Sequence, residues 1–231
     1  MTEKQAFQWS SAGRSHVGMV RAINEDACLV LPEVGLWTVA DGMGGHEAGD
    51  IASQMIVETL QRIVPPNDWE EFLSSVREGL KDVNRRLREE SAQRYHNRTI
   101  GSTVVVLLLH GAHCACLWVG DSRIYRLQNG QLQQLTRDHS HVQELVDQGL
   151  IASEDAHRHP LANVITRAVG SAEELAIDEA VYPLQAGDMF LLCSDGLNKT
   201  VSDEEIARLL VHSNHNCQEA VKAFIHLALM R

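Results

Sequence analysis

Acidic residues stand at the ends of several apolar stretches in this sequence. Asp41 follows LWTVA, Asp121 follows CACLWVG, Asp195 follows FLLCS, and the adjacent Glu25 and Asp26 lie between two early stretches. A single aspartate in such a place could simply cap a turn. Several of them are harder to explain in that way, because buried carboxylates are costly unless they are paired or bind a metal. If the apolar stretches are neighbouring strands, these carboxylates converge at one end of the sheets.

A cluster of carboxylates suggests a site for divalent ions. Carboxylate oxygens, backbone carbonyls and waters suit Mg²⁺ or Mn²⁺. Two such ions roughly 3.5–4 Å apart would hold a phosphoryl group and activate a water. Gly42 follows Asp41 and has no Cβ, so its carbonyl could approach an ion held by Asp41. The alternative for Gly42 is an ordinary glycine turn at the end of a strand.

Two further residues could act on a phosphate. Arg21 lies four residues before Glu25, where its guanidinium could bind a substrate phosphate through two hydrogen bonds; it could also be an ordinary surface arginine. His46 follows the glycines of VADGMGGHEAG. A histidine there could protonate a leaving alkoxide, and it could equally start or cap a helix.

The composition narrows the classes of function. The 231 residues carry 20 Lys and Arg against 31 Asp and Glu, a formal net charge of −11, with no run of basic residues. Proteins that bind nucleic acid or anionic membranes usually present a basic face, so neither partner is expected. The longest apolar run, 104–109, is far shorter than the roughly 20 residues that span a bilayer.

The cysteines and the N-terminus indicate the compartment. The chain has five cysteines and no CxxC pair, which argues against a zinc ribbon. An odd number of cysteines, most of them in apolar runs, predicts reduced thiols. The first residues lack the apolar core of a signal peptide. We therefore expect a soluble, cytoplasmic protein with one domain.

The hydrophobic periodicity predicts strands, a helix pair, further strands and a second helix pair. Segregated strands and helices favour an α+β fold over a doubly wound sheet, with antiparallel sheets packed as a sandwich beneath the helices. Residues 137–160 are polar and rich in histidine, and we expect them to be a mobile surface segment. The predicted strands are 7–20, 27–31, 36–40, 103–109, 113–119, 123–127, 131–135, 176–182 and 189–193, and the predicted helices are 47–64, 69–90, 141–148, 202–211 and 217–229.

Seven short motifs give the chain a family resemblance. The chain resembles the PP2C-type (PPM) metal-dependent Ser/Thr protein phosphatases in their compact bacterial form. The motifs occur in the family's order and cover nearly the whole chain. They are RAINEDA, VADGMGGHEAG, GSTVVVLLL, VGDSRIYRL, LTRDHS, ITRAVG and CSDGL.

The resemblance implies a β-sandwich of two mainly antiparallel sheets flanked by helix pairs. It also implies a binuclear Mn²⁺ or Mg²⁺ centre that Asp41 bridges. The carbonyl of Gly42 would bind one ion and Asp195 the other. Glu25 and Asp26 would act directly or through metal-bound waters.

Other roles are implied by the same resemblance. A third, weaker ion site maps onto Asp121 together with Asp195. The phosphate-binding arginine maps onto Arg21, and the proposed general acid maps onto His46. The segment 137–160 overlaps the family's flap, which is linked to substrate access.

One part of the family pattern does not occur. Members normally end with an Asp-Asn motif (DNxT) on a final strand, whose aspartate binds a metal, and this chain contains no Asp-Asn pair. We therefore predict one phosphatase domain over 1–231 that lacks this final strand, so that the ion beside Asp195 loses one protein ligand.

The predicted function is hydrolysis of phosphoserine and phosphothreonine in proteins by a metal-bridging water. The expected partner is a phosphorylated protein, either a bacterial Ser/Thr kinase that the enzyme opposes or the target of that kinase. The chain is expected to be a monomer. The missing aspartate motivates an alternative, a non-catalytic pseudophosphatase that binds phosphoproteins.

Overall fold

The computed structural model describes residues 7–44, 48–66, 68–94 and 99–231. Within these ranges there are nine strands and six helices, of which the strand Gly101–Ser102 and the helix Asp195–Asn198 were not predicted. The strands are β1 (Asp26–Leu31), β2 (Leu36–Met43), β3 (Gly101–Ser102), β4 (Val104–His110), β5 (His113–Val119), β6 (Arg123–Gln128), β7 (Gln131–Gln134), β8 (Asp178–Pro183) and β9 (Met189–Cys193). The helices are α1 (Ala48–Gln61), α2 (Trp69–Arg94), α3 (His141–Asp147), α4 (Asp195–Asn198), α5 (Asp203–His212) and α6 (Cys217–Leu229), with a 3₁₀ turn at Ser153–Arg158.

The strands form two antiparallel sheets. The larger sheet has the order β1-β2-β4-β5-β8, and the short β3 pairs with β2. The smaller sheet has the order β7-β6-β9. Asn129 and Gly130 join β6 to β7 with positive φ angles of 51° and 78°, as a tight hairpin turn requires.

Strand β4 lies at the centre of the sandwich and is buried on both faces. Val104, Val106 and Leu108 pack among residues of α1 and α2. Val105, Leu107 and Leu109 point the other way, into the core shared with the smaller sheet. Because side chains alternate between the two faces of a strand, a strand that is buried on both faces requires a continuous apolar run.

The outer face of the smaller sheet carries the second helix pair. Tyr125 and Leu127 of β6 pack against Ile206 of α5 and Phe224 of α6. The layer order is therefore helix, sheet, sheet, helix, and the predicted α+β sandwich flanked by helix pairs is confirmed. Ser202 and Glu205 form a capping box at the start of α5.

The strand predicted for 7–20 is wrong. The described part of this segment, from residue 7, forms no strand and ends in a turn at 18–20. It is anchored by side chains instead: the Nε1 of Trp9 donates to the carbonyl of Pro32 at 2.8 Å, and its ring packs edge-on against Trp37 at 6.0 Å. Apolar residues that make such contacts give the segment a strand-like sequence pattern, although it forms no ladder of hydrogen bonds with a neighbouring strand.

The cysteines agree with the prediction of reduced thiols. All five cysteines are free. Within the described ranges, no helix combines the length and the apolar character that crossing a bilayer requires.

Candidate metal centre

Four aspartates meet at one end of the two sheets. Asp26 and Asp41 are opposite each other in the antiparallel pair of β1 and β2, Asp121 follows β5, and Asp195 begins α4 just after β9. The carboxyl groups of Asp26 and Asp195 lie near enough to that of Asp41 to perturb its pKa. The strand ends therefore bring these side chains together, as the sequence indicated, although Asp195 opens a short helix rather than closing a strand.

Asp41 sits at the centre of the cluster. Burial, and then the negative charges of Asp26, Asp195 and Asp121, raise the pKa of Asp41 to about 9. A carboxyl group in this position holds a proton at neutral pH unless a cation compensates its charge. The arrangement therefore favours either a bound proton or a bound cation.

The neighbouring carboxyl groups are perturbed in the same direction. Burial is the main cause of the raised pKa of Asp26, partly offset by a hydrogen bond that Ser194 Oγ donates to Asp26 Oδ2 at 2.9 Å. Burial, followed by the charge of Asp195, raises the pKa of Asp121 to about 6, and Lys199 opposes this shift. Only 5% of the surface of Asp121 is exposed.

Hydroxyl groups of the GST motif fix the backbone of Asp41. Ser102 Oγ donates to the carbonyl of Asp41 at 2.9 Å. Thr103 Oγ1 accepts from the N–H of Asp41 at 3.3 Å and lies 2.7 Å from the hydroxyl of Ser122. These positioning contacts were not expected from the sequence, although GST and GDS stand in the motifs that carry the resemblance.

Two glycines allow Glu25 and α1 to approach Asp41. A Cβ on Gly42 would overlap the carbonyl oxygen of Gly49 and lie 2.8 Å from the carbonyl oxygen of Glu25. A Cβ on Gly49 would overlap the carboxylate of Glu25. Close packing of the backbone therefore requires glycine at both positions, whatever ligand role the carbonyl of Gly42 has.

Arg21 and His46 are the two residues expected to act on phosphate. Arg21 is at the rim of the site, with 73% of its side chain exposed, and its Nη1 donates to Glu25 Oε2 at 3.1 Å. His46 lies outside the described residues.

Lys199 is a member of the site that the sequence analysis missed. Its Nζ contacts Asp195 Oδ2 and lies 3.7 Å from Asp121 Oδ2. The four-residue spacing from Asp195 is the signal that could have revealed it, because residues so spaced are neighbours on a helical turn.

The chemistry of the donor set fits Mg²⁺ or Mn²⁺. Across the described ranges, no three His, Cys, Asp or Glu side chains are already spaced to hold one ion. Here Lys199 neutralises part of the charge of the carboxyl groups. Even so, a divalent ion would relieve the electrostatic repulsion between these hard oxygen donors. They open onto a cavity of about 1380 Å³ that a phosphoryl group can enter.

A family model for protein phosphatase 2C matches residues 12–228. The chain belongs to the protein phosphatase 2C family. Among solved structures of this family, "PppA, a key regulatory component of T6SS in Pseudomonas aeruginosa" is 49% identical, with a TM-score of 0.89 over 97% of this chain and 93% of the other.

Two further relatives in the protein phosphatase 2C family are PstP phosphatases. The serine/threonine protein phosphatase PstP of Mycobacterium tuberculosis is 37% identical over 199 residues, which are 86% of this chain and 38% of PstP. This chain therefore spans less than half the length of that curated relative. The catalytic domain of a PstP in complex with two manganese ions is 36% identical, with a TM-score of 0.81 over 94% of this chain and 90% of the other.

Proposed function

We propose that this chain is a metal-dependent protein phosphatase that hydrolyses phosphoserine and phosphothreonine. The observation that carries the proposal is the convergence of four mutually repelling aspartates, centred on Asp41, beside a cavity open to substrate. Membership of the protein phosphatase 2C family supports it. The comparisons give no support to the non-catalytic alternative.

The proposed cofactor is Mn²⁺ or Mg²⁺, since a related PstP catalytic domain is in complex with two manganese ions. Asp41, Asp195 and the carbonyl of Gly42 would hold the ions, and Glu25 and Asp26 would bind directly or through waters. When bound, the ions would supply an activated water and neutralise the phosphate charge. Asp41 would have to lose its proton to bind them, because the ligand is the carboxylate.

Arg21 is the proposed phosphate anchor. Its exposed guanidinium can leave Glu25 at little cost, because an exposed ion pair contributes roughly 0–1 kcal/mol. A phosphate would accept two hydrogen bonds from the fork of the guanidinium. His46 remains the proposed donor of a proton to the leaving alkoxide.

The proposed substrates are phosphorylated proteins in the cytoplasm, namely a Ser/Thr kinase or its targets, acted on by a monomer. The relationship to PppA, a key regulatory component of T6SS, supports a place in the regulation of a bacterial secretion apparatus. The proposal includes no nucleic-acid partner and no membrane partner, since the net charge of −11 favours neither.

Turnover of p-nitrophenyl phosphate and of a phosphothreonine peptide, with Mn²⁺ and with EDTA, tests this function. We expect turnover with Mn²⁺ and none with EDTA. The turnover rate should fall at least about a hundredfold in Asp41→Asn and in Asp195→Asn, as it does when other electrostatic groups of an active site are removed. Asp82→Asn, in an exposed pair with Arg85 on α2, is the matched control and should retain full activity. Wild-type rates in both site variants would refute the mechanism, and bound Mn²⁺ without turnover would favour the pseudophosphatase.

A further inference from the structure

Lys199 is placed between two carboxylates by the local backbone. The residue follows α4, and its N–H donates to the carbonyl of Asp195 at 3.1 Å, which sets the two residues one helical turn apart. The following turn of the backbone is also held in place, because Val201 is buried and its N–H donates to the carbonyl of Leu197 at 2.8 Å. The backbone of this turn therefore keeps the Cα of Lys199 within side-chain reach of Asp195.

The second carboxylate comes from the larger sheet. Asp121 follows β5, is buried, and lies with its Oδ2 3.7 Å from Lys199 Nζ. One ammonium thus bridges Asp121 and Asp195, which follow strands of different sheets. Only 33% of the Lys199 side chain is exposed, so the pairing is partly shielded from water and from salt.

Two other basic residues of this region are engaged elsewhere. Arg123 makes three hydrogen bonds to the carboxylate of Asp138, at 2.7 to 3.1 Å, and donates once to the hydroxyl of Tyr125. Arg21 is paired with Glu25. Among the residues that the structure describes, Lys199 is therefore the lysine or arginine that pairs with Asp121 and Asp195.

We propose that Lys199 is a tethered cation that occupies the position of a third divalent ion between Asp121 and Asp195, so that the site holds two ions and not three. The inference rests on the proposed function, because it concerns the same metal centre. An ammonium matches this position since it supplies positive charge and three donors to carboxylate oxygens. Unlike an ion from solution, it is present at every metal concentration.

The number of bound ions distinguishes a tethered cation from an ordinary ion pair. We would titrate the protein with Mn²⁺ and follow the EPR signal of free Mn²⁺. Wild type should bind two ions. Lys199→Met keeps the aliphatic stem and removes the charge, and it should bind a third ion between Asp121 and Asp195, roughly tenfold or more tightly than wild type binds any third ion, because ion affinity rises with the uncompensated charge of the ligands.

Thermal unfolding supplies a second readout and a check on folding. In EDTA, Lys199→Met should unfold a few degrees below wild type, because two carboxylates lose their counter-charge. Saturating Mn²⁺ should close this gap, because the added ion replaces the lost charge. Lys222→Met is the matched control: Lys222 pairs with Glu219 on the surface of α6, and its loss should change neither the ion count nor the gap.

Each outcome decides between the two proposals. Two ions in wild type and three in Lys199→Met support the tethered cation. Three ions in wild type, or two in both proteins, overturn it and leave the phosphatase proposal standing. No bound Mn²⁺ in wild type refutes the metal-dependent function itself, and the tethered cation with it.

Discussion

Asp26 and Asp41 are directly opposite residues of β1 and β2, and burial followed by the charge of Asp26 raises the pKa of Asp41. Like charges facing each other across an antiparallel pair destabilise a sheet. The metal-free protein bears this cost, either as repulsion or as the free energy of keeping Asp41 protonated, because Asp41 is also largely buried and lies near Asp195. The cluster of carboxyl groups is thus maintained at the expense of stability.

Replacing Asp41 by asparagine should therefore stabilise the metal-free protein. Asparagine fills a similar volume and carries no charge, so we expect the free energy of unfolding in EDTA to rise by roughly 1–3 kcal/mol at pH 7.5. Urea denaturation followed by circular dichroism measures it. Asp82→Asn, at an exposed position, should change stability by less than about 0.5 kcal/mol. Destabilisation by Asp41→Asn would contradict the repulsion read from the structure.

The same carboxyl group should make stability depend on pH. In the folded protein the pKa of Asp41 is raised to about 9 from an ordinary value of 3.8, so between these values the folded state binds more protons than the unfolded state. Stability must then fall as pH rises through this window. Asp121, with its pKa raised to about 6, adds to the acidic half of the window.

Melting temperatures in EDTA from pH 5.5 to 8.5 measure this dependence. We expect a steady decline for wild type and a flatter curve for Asp41→Asn. Saturating Mn²⁺ should remove or reverse the decline, because the ion binds the deprotonated carboxylate. A wild-type curve in EDTA that is flat or rises with pH would show that Asp41 is not held in its protonated form.

Gly42 should tolerate no side chain. The Cβ of Gly42→Ala would overlap the backbone of Gly49, which cannot rotate away as a side chain can. We expect a loss of roughly 2–4 kcal/mol of stability together with weaker Mn²⁺ binding, measured by urea denaturation and ion titration. In Gly79→Ala, within α2, the new Cβ would meet neighbours at 3.5 Å or more, so a gain of up to about 1 kcal/mol is expected. Equal effects of the two changes would rule out the packing argument.

The sequence predicted those features that depend on local periodicity. The uninterrupted apolar run of strand β4 is typical of a strand buried on both faces, and both of its faces are indeed packed. The convergence of Asp41 and Asp195 followed from their positions beside strand ends. Their roles as metal ligands remain a prediction that the titrations above can test.

Features that depend on contacts between distant residues were missed. The segment 7–20 looked like a strand, but Trp9 serves as an anchor on Trp37. In the sequence, Lys199 resembles an ordinary surface lysine, because its second partner, Asp121, is distant along the chain and follows a strand of the other sheet. Periodicity reports which face of an element is buried and says nothing about which residue of another element it meets.

Asn84 on α2 shows how such a distant contact can be tested. Its Oδ1 accepts from the N–H of Gly170 at 2.7 Å, and its Nδ2 donates to the carbonyl of Ala172 at 3.0 Å. The side chain is buried, so Asn84→Ala would leave backbone groups of the 170–172 turn without partners. We expect a loss of about 2–3 kcal/mol in urea denaturation and faster amide hydrogen exchange at Gly170.

A matched change on the same helix separates this tether from a general effect on α2. The hydroxyl of Ser75 donates to the carbonyl of Glu71 within the helix, so Ser75→Ala should alter stability by less than about 0.5 kcal/mol and leave exchange at Gly170 unchanged. If Asn84→Ala lowered stability without faster exchange at Gly170, the loss would come from the packing of α2. Faster exchange confined to the turn would instead assign to Asn84 the task of holding the ITRAVG segment against the helix, a role that no local pattern in either stretch could have predicted.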